Sequence, residues 1–157
     1  SDERYDVIIF SESFQYVNMA TSLDKAVMLL HPGGHLLICD FFRLDVPEKS
    51  LMGGGHRWAA FQEVINKTNL KLIIDNDITD GTAPTVDLLN QFCQEVLKPV
   101  GSMTGEYMLS NYPKLTRILI WKFKRRIEKI KSRYLNGDVN GDSFKKFKTY
   151  HLLLYKK

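Results

Sequence analysis

The chain has 157 residues, 44% hydrophobic and 25% charged, with ten glycines and five prolines. That is the composition of one globular domain, and it excludes a disordered, collagen-like or linker-dominated chain. The net charge of +4 is concentrated: residues 114–133 hold nine basic side chains against one acid, Glu128, so this segment carries +8 and the remainder −4.

No apolar run approaches the roughly 18 residues of a membrane-spanning helix. The charged start, Ser1-Asp2-Glu3-Arg4, predicts no signal peptide. Two cysteines, Cys39 and Cys93, are too few for a disulfide framework or a zinc cluster. Both sit among apolar neighbours, as buried thiols do, and a reducing cytoplasm is the expected location.

Tyr5 to Phe10 is a short β-branched run that predicts a strand buried on both faces. Ser11-Glu12-Ser13 breaks it. Apolar residues at Leu23, Ala26, Val27 and Leu30 predict a helix from Ser22, with Ser22 as its N-cap, and His31-Pro32-Gly33-Gly34 stops it. His35 to Phe42 reads as a second buried strand with Asp40 at its end. A loop with Gly53-Gly54-Gly55 leads to a helix marked by Trp58, Phe61, Val64 and Ile65, and Leu70 to Ile78 reads as a third strand. The alternation argues for an α/β domain with a largely parallel sheet.

The second half changes character. Val86 to Leu97 predicts a helix closed by Pro99 and Gly101, and a shorter one is expected around Glu106 to Leu109. A long amphipathic helix starts near Tyr112, with Leu119, Phe123, Ile127, Ile130 and Tyr134 as its apolar stripe. After a short helix at Ser143 to Lys148, Tyr150 to Tyr155 is a last strand, expected to pair antiparallel with the sheet. Residues 1–79 are thus expected to form the α/β core, 80–148 a helical insert, and 149–157 the returning strand.

The ordered set from Tyr5 to Phe42 resembles the middle of class I S-adenosylmethionine-dependent methyltransferases. It runs from a strand beginning Tyr-Asp-Val through the break Ser11-Glu12-Ser13-Phe14-Gln15-Tyr16, a helix and Leu30-His31-Pro32-Gly33-Gly34 to a strand ending in an acid. Asp77-Ile78-Thr79, a helical insert and Phe144-Lys145-Lys146-Phe147-Lys148-Thr149-Tyr150 before a last strand look like members acting on small molecules. The resemblance implies a partial Rossmann-like sheet of three parallel strands plus a final antiparallel one, the last two strands at the sheet edge, and the insert as a lid. The family's glycine-rich cofactor loop and the acid closing its second strand are absent, so the chain looks like the C-terminal half of such an enzyme. Gly53-Gly54-Gly55 does not replace that loop, since it follows no first strand.

The implied reaction is transfer of a methyl group from S-adenosylmethionine to a small-molecule acceptor. The protein would chiefly align the reactants and exclude water, with a base needed only when the acceptor loses a proton. By the family pattern Ser11, Glu12, Gln15 and Tyr16 contact the cofactor, Gln15 and Tyr16 being the polar pair that faces sulfonium and acceptor, with Tyr16 also taken as catalytic. In the bland reading Phe14 and Tyr16 are core aromatics and Gln15 caps the next helix. Asp40 and the neighbouring Phe41 are placed to meet the acceptor, or Asp40 caps a turn. His56, after the three glycines, is the one histidine considered as a base and acceptor contact, against a solvated loop residue. No metal site is expected: Pro32-Gly33-Gly34 separates His31 from His35, and the calcium-loop-like segment has Asn136 in place of the first Asp and Phe147 in place of the final Glu.

The basic helix reads as a lid with a solvated cationic face or as a weak contact to an anionic membrane. Nucleic acid is not expected, since no recognised motif accompanies the charge. The alternative to an enzyme is a non-catalytic, methyltransferase-like interaction or membrane-docking domain. A half-sheet would expose a long edge, so an upstream segment or a second copy is the expected partner.

Overall fold

The computed structural model describes residues 3–48 and 50–157. Ser1 and Asp2 of the charged start, Lys49 and the side chain of Arg133 lie outside the described residues. The chain divides into two compact units, one made of residues up to Thr82 with Lys145–Lys157, the other of Ala83–Phe144.

The first unit is built on four strands: β1 (Tyr5–Ser11), β2 (Leu30–Arg43), β3 (Lys71–Asp77) and β4 (Lys148–Lys156). Their order is β1-β2-β4-β3. β1 and β2 run parallel, and β4 runs antiparallel to both β2 and β3. Three strands therefore share one direction, and the last strand to be made is inserted between two of them. β3 takes the edge.

Side chains alternate across the pleat. On β2, Leu36, Ile38, Asp40 and Phe42 are buried, while Leu37, Cys39 and Phe41 are only half-buried. The buried side packs on α1 (Met19–Leu29) and α2 (Trp58–Ile65) around Phe14, Leu23, Phe42, Phe61 and Leu153. The other side is more open: the register sets Ile9, Leu37, Leu154 and Ile74 in one row across all four strands, Ile9 and Ile74 exposed and Leu37 and Leu154 half-buried. This corrects the expectation that the first strand is buried on both faces. Ile8 and Phe10 meet the core, but Val7 and Ile9 are exposed, because no described element of this unit packs over them. β3, at the sheet edge, is exposed along its length on both faces and contributes nothing to the core.

Asn18, not Ser22, caps α1, its Oδ1 accepting from Thr21 N at 3.1 Å. The His31–Gly34 turn ends that helix inside β2, as an irregularity in its pairing with β1. A Cβ on Gly34 would lie 3.0 and 3.1 Å from the carbonyl oxygens of His31 and Asp6, so backbone packing requires glycine there. Lys157 closes the same corner, its Nζ donating to Val27 O and Leu30 O at 2.5 and 2.7 Å, where the helix C-terminus presents unpaired carbonyls.

The second unit is helical. α3 (Thr79–Phe92) runs through a π-turn at Cys93–Leu97 into α4 (Lys98–Asn111). The helix therefore does not close at Pro99 and Gly101, and the short helix expected at Glu106 is the end of α4. Pro99 directly follows the π-turn, where the α-helical hydrogen-bond ladder is already interrupted. α5 (Pro113–Ile130) and α6 (Gly141–Phe147) follow. Asn140, in the calcium-like segment, is a helix cap, its Oδ1 accepting from Ser143 N. Among the described residues, no helix is long and apolar enough to cross a membrane.

Candidate active site

Parallel strands send their carboxyl ends to one edge of a sheet, and ligands of open α/β sheets bind there. Here that edge gathers the ends of β1 and β2, and the antiparallel β4 brings its first residues to it. Five of the seven residues singled out from the sequence come together at this place: Glu12, Gln15, Asp40, Phe41 and His56.

Glu12 leaves β1 in the left-handed region, φ 47°, with its N–H still bonded to Cys39 O at 2.9 Å. That conformation is costly for a residue with a Cβ and persists only where its surroundings hold it. The Glu12 carboxylate is held by Tyr150, whose hydroxyl donates to Oε1 at 2.8 Å. Burial and this bond both push the Tyr150 hydroxyl well above its ordinary pKa, so it stays a donor.

A single 3-10 turn, Phe14–Tyr16, follows. Asp40, 1% exposed, fastens it: Oδ2 accepts from Gln15 N at 3.1 Å and Oδ1 from Phe41 N at 2.9 Å. Burial raises the pKa of this carboxyl, against the pull of those N–H groups. Asp40 therefore holds the geometry of a turn cap, with both oxygens on the backbone. His56 clamps the same turn from the other side, Nε2 lying 2.9 Å from Phe14 O. A carbonyl only accepts, so Nε2 carries the proton and Nδ1 is the acceptor nitrogen in the neutral ring. Its ring meets that of buried Phe14 edge-on at 5.2 Å.

The glycine triplet lies directly over this arrangement. A Cβ on Gly54 would stand 2.7 Å from Gln15 Oε1, and one on Gly55 would stand 3.1 Å from the Phe41 ring. Lys148 holds the triplet in place, Nζ donating to Gly53 O and Gly54 O at 3.2 and 2.5 Å while lying 5.0 Å from the Phe41 ring centre. Burial, with Arg43 nearby, lowers the Lys148 pKa to about 8. Sequence reasoning passed over Lys148 and Tyr150. The only signal was their shared face on β4, one in a lysine-rich run whose other members are exposed.

Ser11 and Tyr16 stand apart from this cluster. Ser11 is exposed at the end of β1, and Tyr16 is 80% exposed. On the other face of β4 a second polar chain was also missed. His151, buried and stacked on Trp58 at 4.2 Å, donates from Nδ1 to Asp75 Oδ1 at 2.5 Å and places Nε2 2.8 Å from Thr149 Oγ1. Thr149 reaches Asp77 and Thr79, which are hydrogen-bonded to each other. Burial would raise the Asp77 pKa, but the Thr79 bonds outweigh it and the net direction is down. Two open clefts of about 520 and 540 Å³ lie beside Lys148, one lined by Arg43, Asp45, Met52 and Gly53, the other by Asp77, Thr79, Lys148 and Thr149. Among the described residues, no group of three or more side chains is placed to hold a metal ion.

No family model and no curated protein matches the sequence. Solved structures do match the fold. The cyclopropane synthase MmaA2 from Mycobacterium tuberculosis aligns with a TM-score of 0.62 and 14% identity over 100% of this chain and 57% of its own. A protein from Galdieria sulphuraria, assigned as a sarcosine dimethylglycine methyltransferase, gives 0.56 and 16% over 99% of this chain and 54% of its own. The mycolic acid cyclopropane synthase CmaA1 gives 0.55 and 13% over 100% and 60%. The fold is that of a class I methyltransferase. The chain spans a little over half the length of these structures.

Proposed function

We propose that this chain supplies part of the cofactor pocket and the acceptor side of an S-adenosylmethionine-dependent methyltransferase acting on a small molecule. The observation that carries the reading is the turn after β1. It is held in a left-handed conformation at Glu12, fastened by Asp40 and His56, and roofed by a glycine loop at the edge where this fold places ligands.

The residues fit the cofactor's chemistry. A sulfonium is cationic, and the turn offers a carboxylate, Glu12, next to exposed Ser11 with its main chain at the end of a parallel strand. Ser11 and Glu12 would hold the methionine end, and the bound cofactor supplies an electrophilic methyl group. Gln15, half-buried under Gly54, orients the acceptor. His56, with Nε2–H engaged by Phe14 O, offers the Nδ1 lone pair to an acceptor that must lose a proton. The glycine loop, held by Lys148, excludes water. Asp40 acts through the backbone of Gln15 and Phe41, which makes it a positioning residue.

The open row Ile9, Leu37, Leu154 and Ile74 supports a further part of the reading: upstream methyltransferase residues or a second copy cover this face.

Calorimetric titration with S-adenosylhomocysteine tests the cofactor assignment. Saturable binding, weakened at least tenfold by Glu12→Lys, is the expected result. Absence of binding would overturn the cofactor role of this turn.

A further inference from the structure

We propose that the exposed face of α5 docks on an anionic membrane surface. The helix has two unlike sides. Thr116, Leu119 and Ile127 mark the side turned toward its own unit, with Phe123, 38% exposed, at its rim; Thr116 is buried, with its hydroxyl reaching Met108 O at 2.9 Å and Tyr112 O at 2.8 Å. Ile118 and Trp121 lie on the opposite side of the helix from Thr116, and Leu115 flanks them next to Leu119. Leu115, Ile118 and Trp121 are 54%, 59% and 80% exposed.

Lys114, Arg117, Lys122, Arg125 and Lys129 stand among them, all exposed. The only acid of the helix, Glu128, lies 3.9 Å from Lys124. An exposed tryptophan and two large aliphatic residues set among cations is what an interfacial helix presents to lipid: apolar side chains enter the acyl boundary, and cations meet the headgroup phosphates. Nucleic acid fits less well. It would satisfy the cations, but Leu115 and Ile118 gain nothing from phosphate and cannot stack on bases as an aromatic ring does.

The test uses the whole chain with phosphatidylcholine vesicles, with and without phosphatidylglycerol. Sedimentation with the anionic vesicles alone is expected, together with weakening by salt and a blue shift of tryptophan emission that is missing in Trp121→Phe. Each cation near the headgroups corresponds to about fivefold in partitioning, so neutralisation of Lys122, Arg125 and Lys129 to Gln is expected to reduce binding on the order of 100-fold, and their reversal to Glu by more. Single Lys122→Gln and Arg125→Gln variants give the graded version should the triple variant fold poorly. Equal binding to neutral vesicles, no binding to either, no effect of charge removal, or binding of a single-stranded oligonucleotide without vesicle binding would each overturn the proposal.

Discussion

Lys148 has 1% of its surface exposed, and its ammonium meets carbonyl oxygens and an aromatic ring without a carboxylate partner among the described residues. Burying a charge this way is costly even when it is hydrogen-bonded. With a folded pKa of about 8, below the 10.5 of an ordinary lysine, the native state holds this proton less tightly than the unfolded chain. The penalty is therefore fullest below pH 8 and is relieved as pH rises toward 10.5, by on the order of 3 kcal/mol at most. Lys148→Met, which keeps the apolar stem and removes the charge, is expected to leave stability at pH 7 unchanged or higher. The urea midpoints of the two proteins should change relative to each other between pH 7.5 and 9.5, with wild type gaining. The same variant frees the Gly53 and Gly54 carbonyls, so faster amide exchange in the glycine triplet should accompany it. Asp40→Ala works in the opposite sense: it leaves the Gln15 and Phe41 N–H groups without their acceptor. A loss of about 1–3 kcal/mol by chemical denaturation is expected, along with weaker S-adenosylhomocysteine binding even though Asp40 touches no ligand in the proposed arrangement.

At the scale of elements, the turn between α1 and the paired part of β2 is where local chemistry is tightest. Gly34 faces backbone oxygens that cannot move aside, unlike Gly54, whose nearest neighbour is the end of the Gln15 side chain. Gly34→Ala is expected to cost about 1–3 kcal/mol, the range for overpacking. Gly54→Ala should cost about 1 kcal/mol, mainly for its φ of +77°. Thermal melts of the pair should rank them in that order; the reverse would mean that the glycine loop, not the helix turn, is the rigid element. Lys157 adds a tertiary cap to α1, and Lys157→Met should lower stability by about 1 kcal/mol with no effect on ligand binding.

At the scale of the molecule, the sheet has one face covered by α1 and α2 and another that is open away from the glycine loop. Its open row of Ile9, Leu37, Leu154 and Ile74 is the surface by which the chain is expected to recruit a partner. Ile9→Lys, on an exposed position of the edge strand, should change stability by less than about 0.5 kcal/mol while lowering self-association in sedimentation velocity, if a second copy is the cover. Unchanged, monomeric sedimentation of both proteins would assign the cover to upstream residues instead.

Much of this was readable from the residues alone. The strands of the α/β unit, the helix at Trp58 to Ile65, the antiparallel return of the last strand and the concentration of charge in one helix follow from periodicity, turn residues and composition, which act over a few positions. Asp40, with its neighbour Phe41, is nominated by its place at the end of the second strand, His56 by the glycine triplet before it, and Gln15 by the resemblance of the segment from Ser11 to Tyr16. What only the tertiary structure decided is which groups meet across the chain. The insertion of β4 between β2 and β3 depends on pairing between residues 70 to 120 positions apart, and nothing local encodes it. That insertion turns one lysine of a basic run into the buried clamp of the glycine loop, and sets Tyr150 against Glu12. It also assembles Asp75, His151 and Thr149 into one chain. The exposure of β1, β3 and α5 was likewise illegible, since an apolar pattern states what a surface would bury and not whether anything is present to bury it.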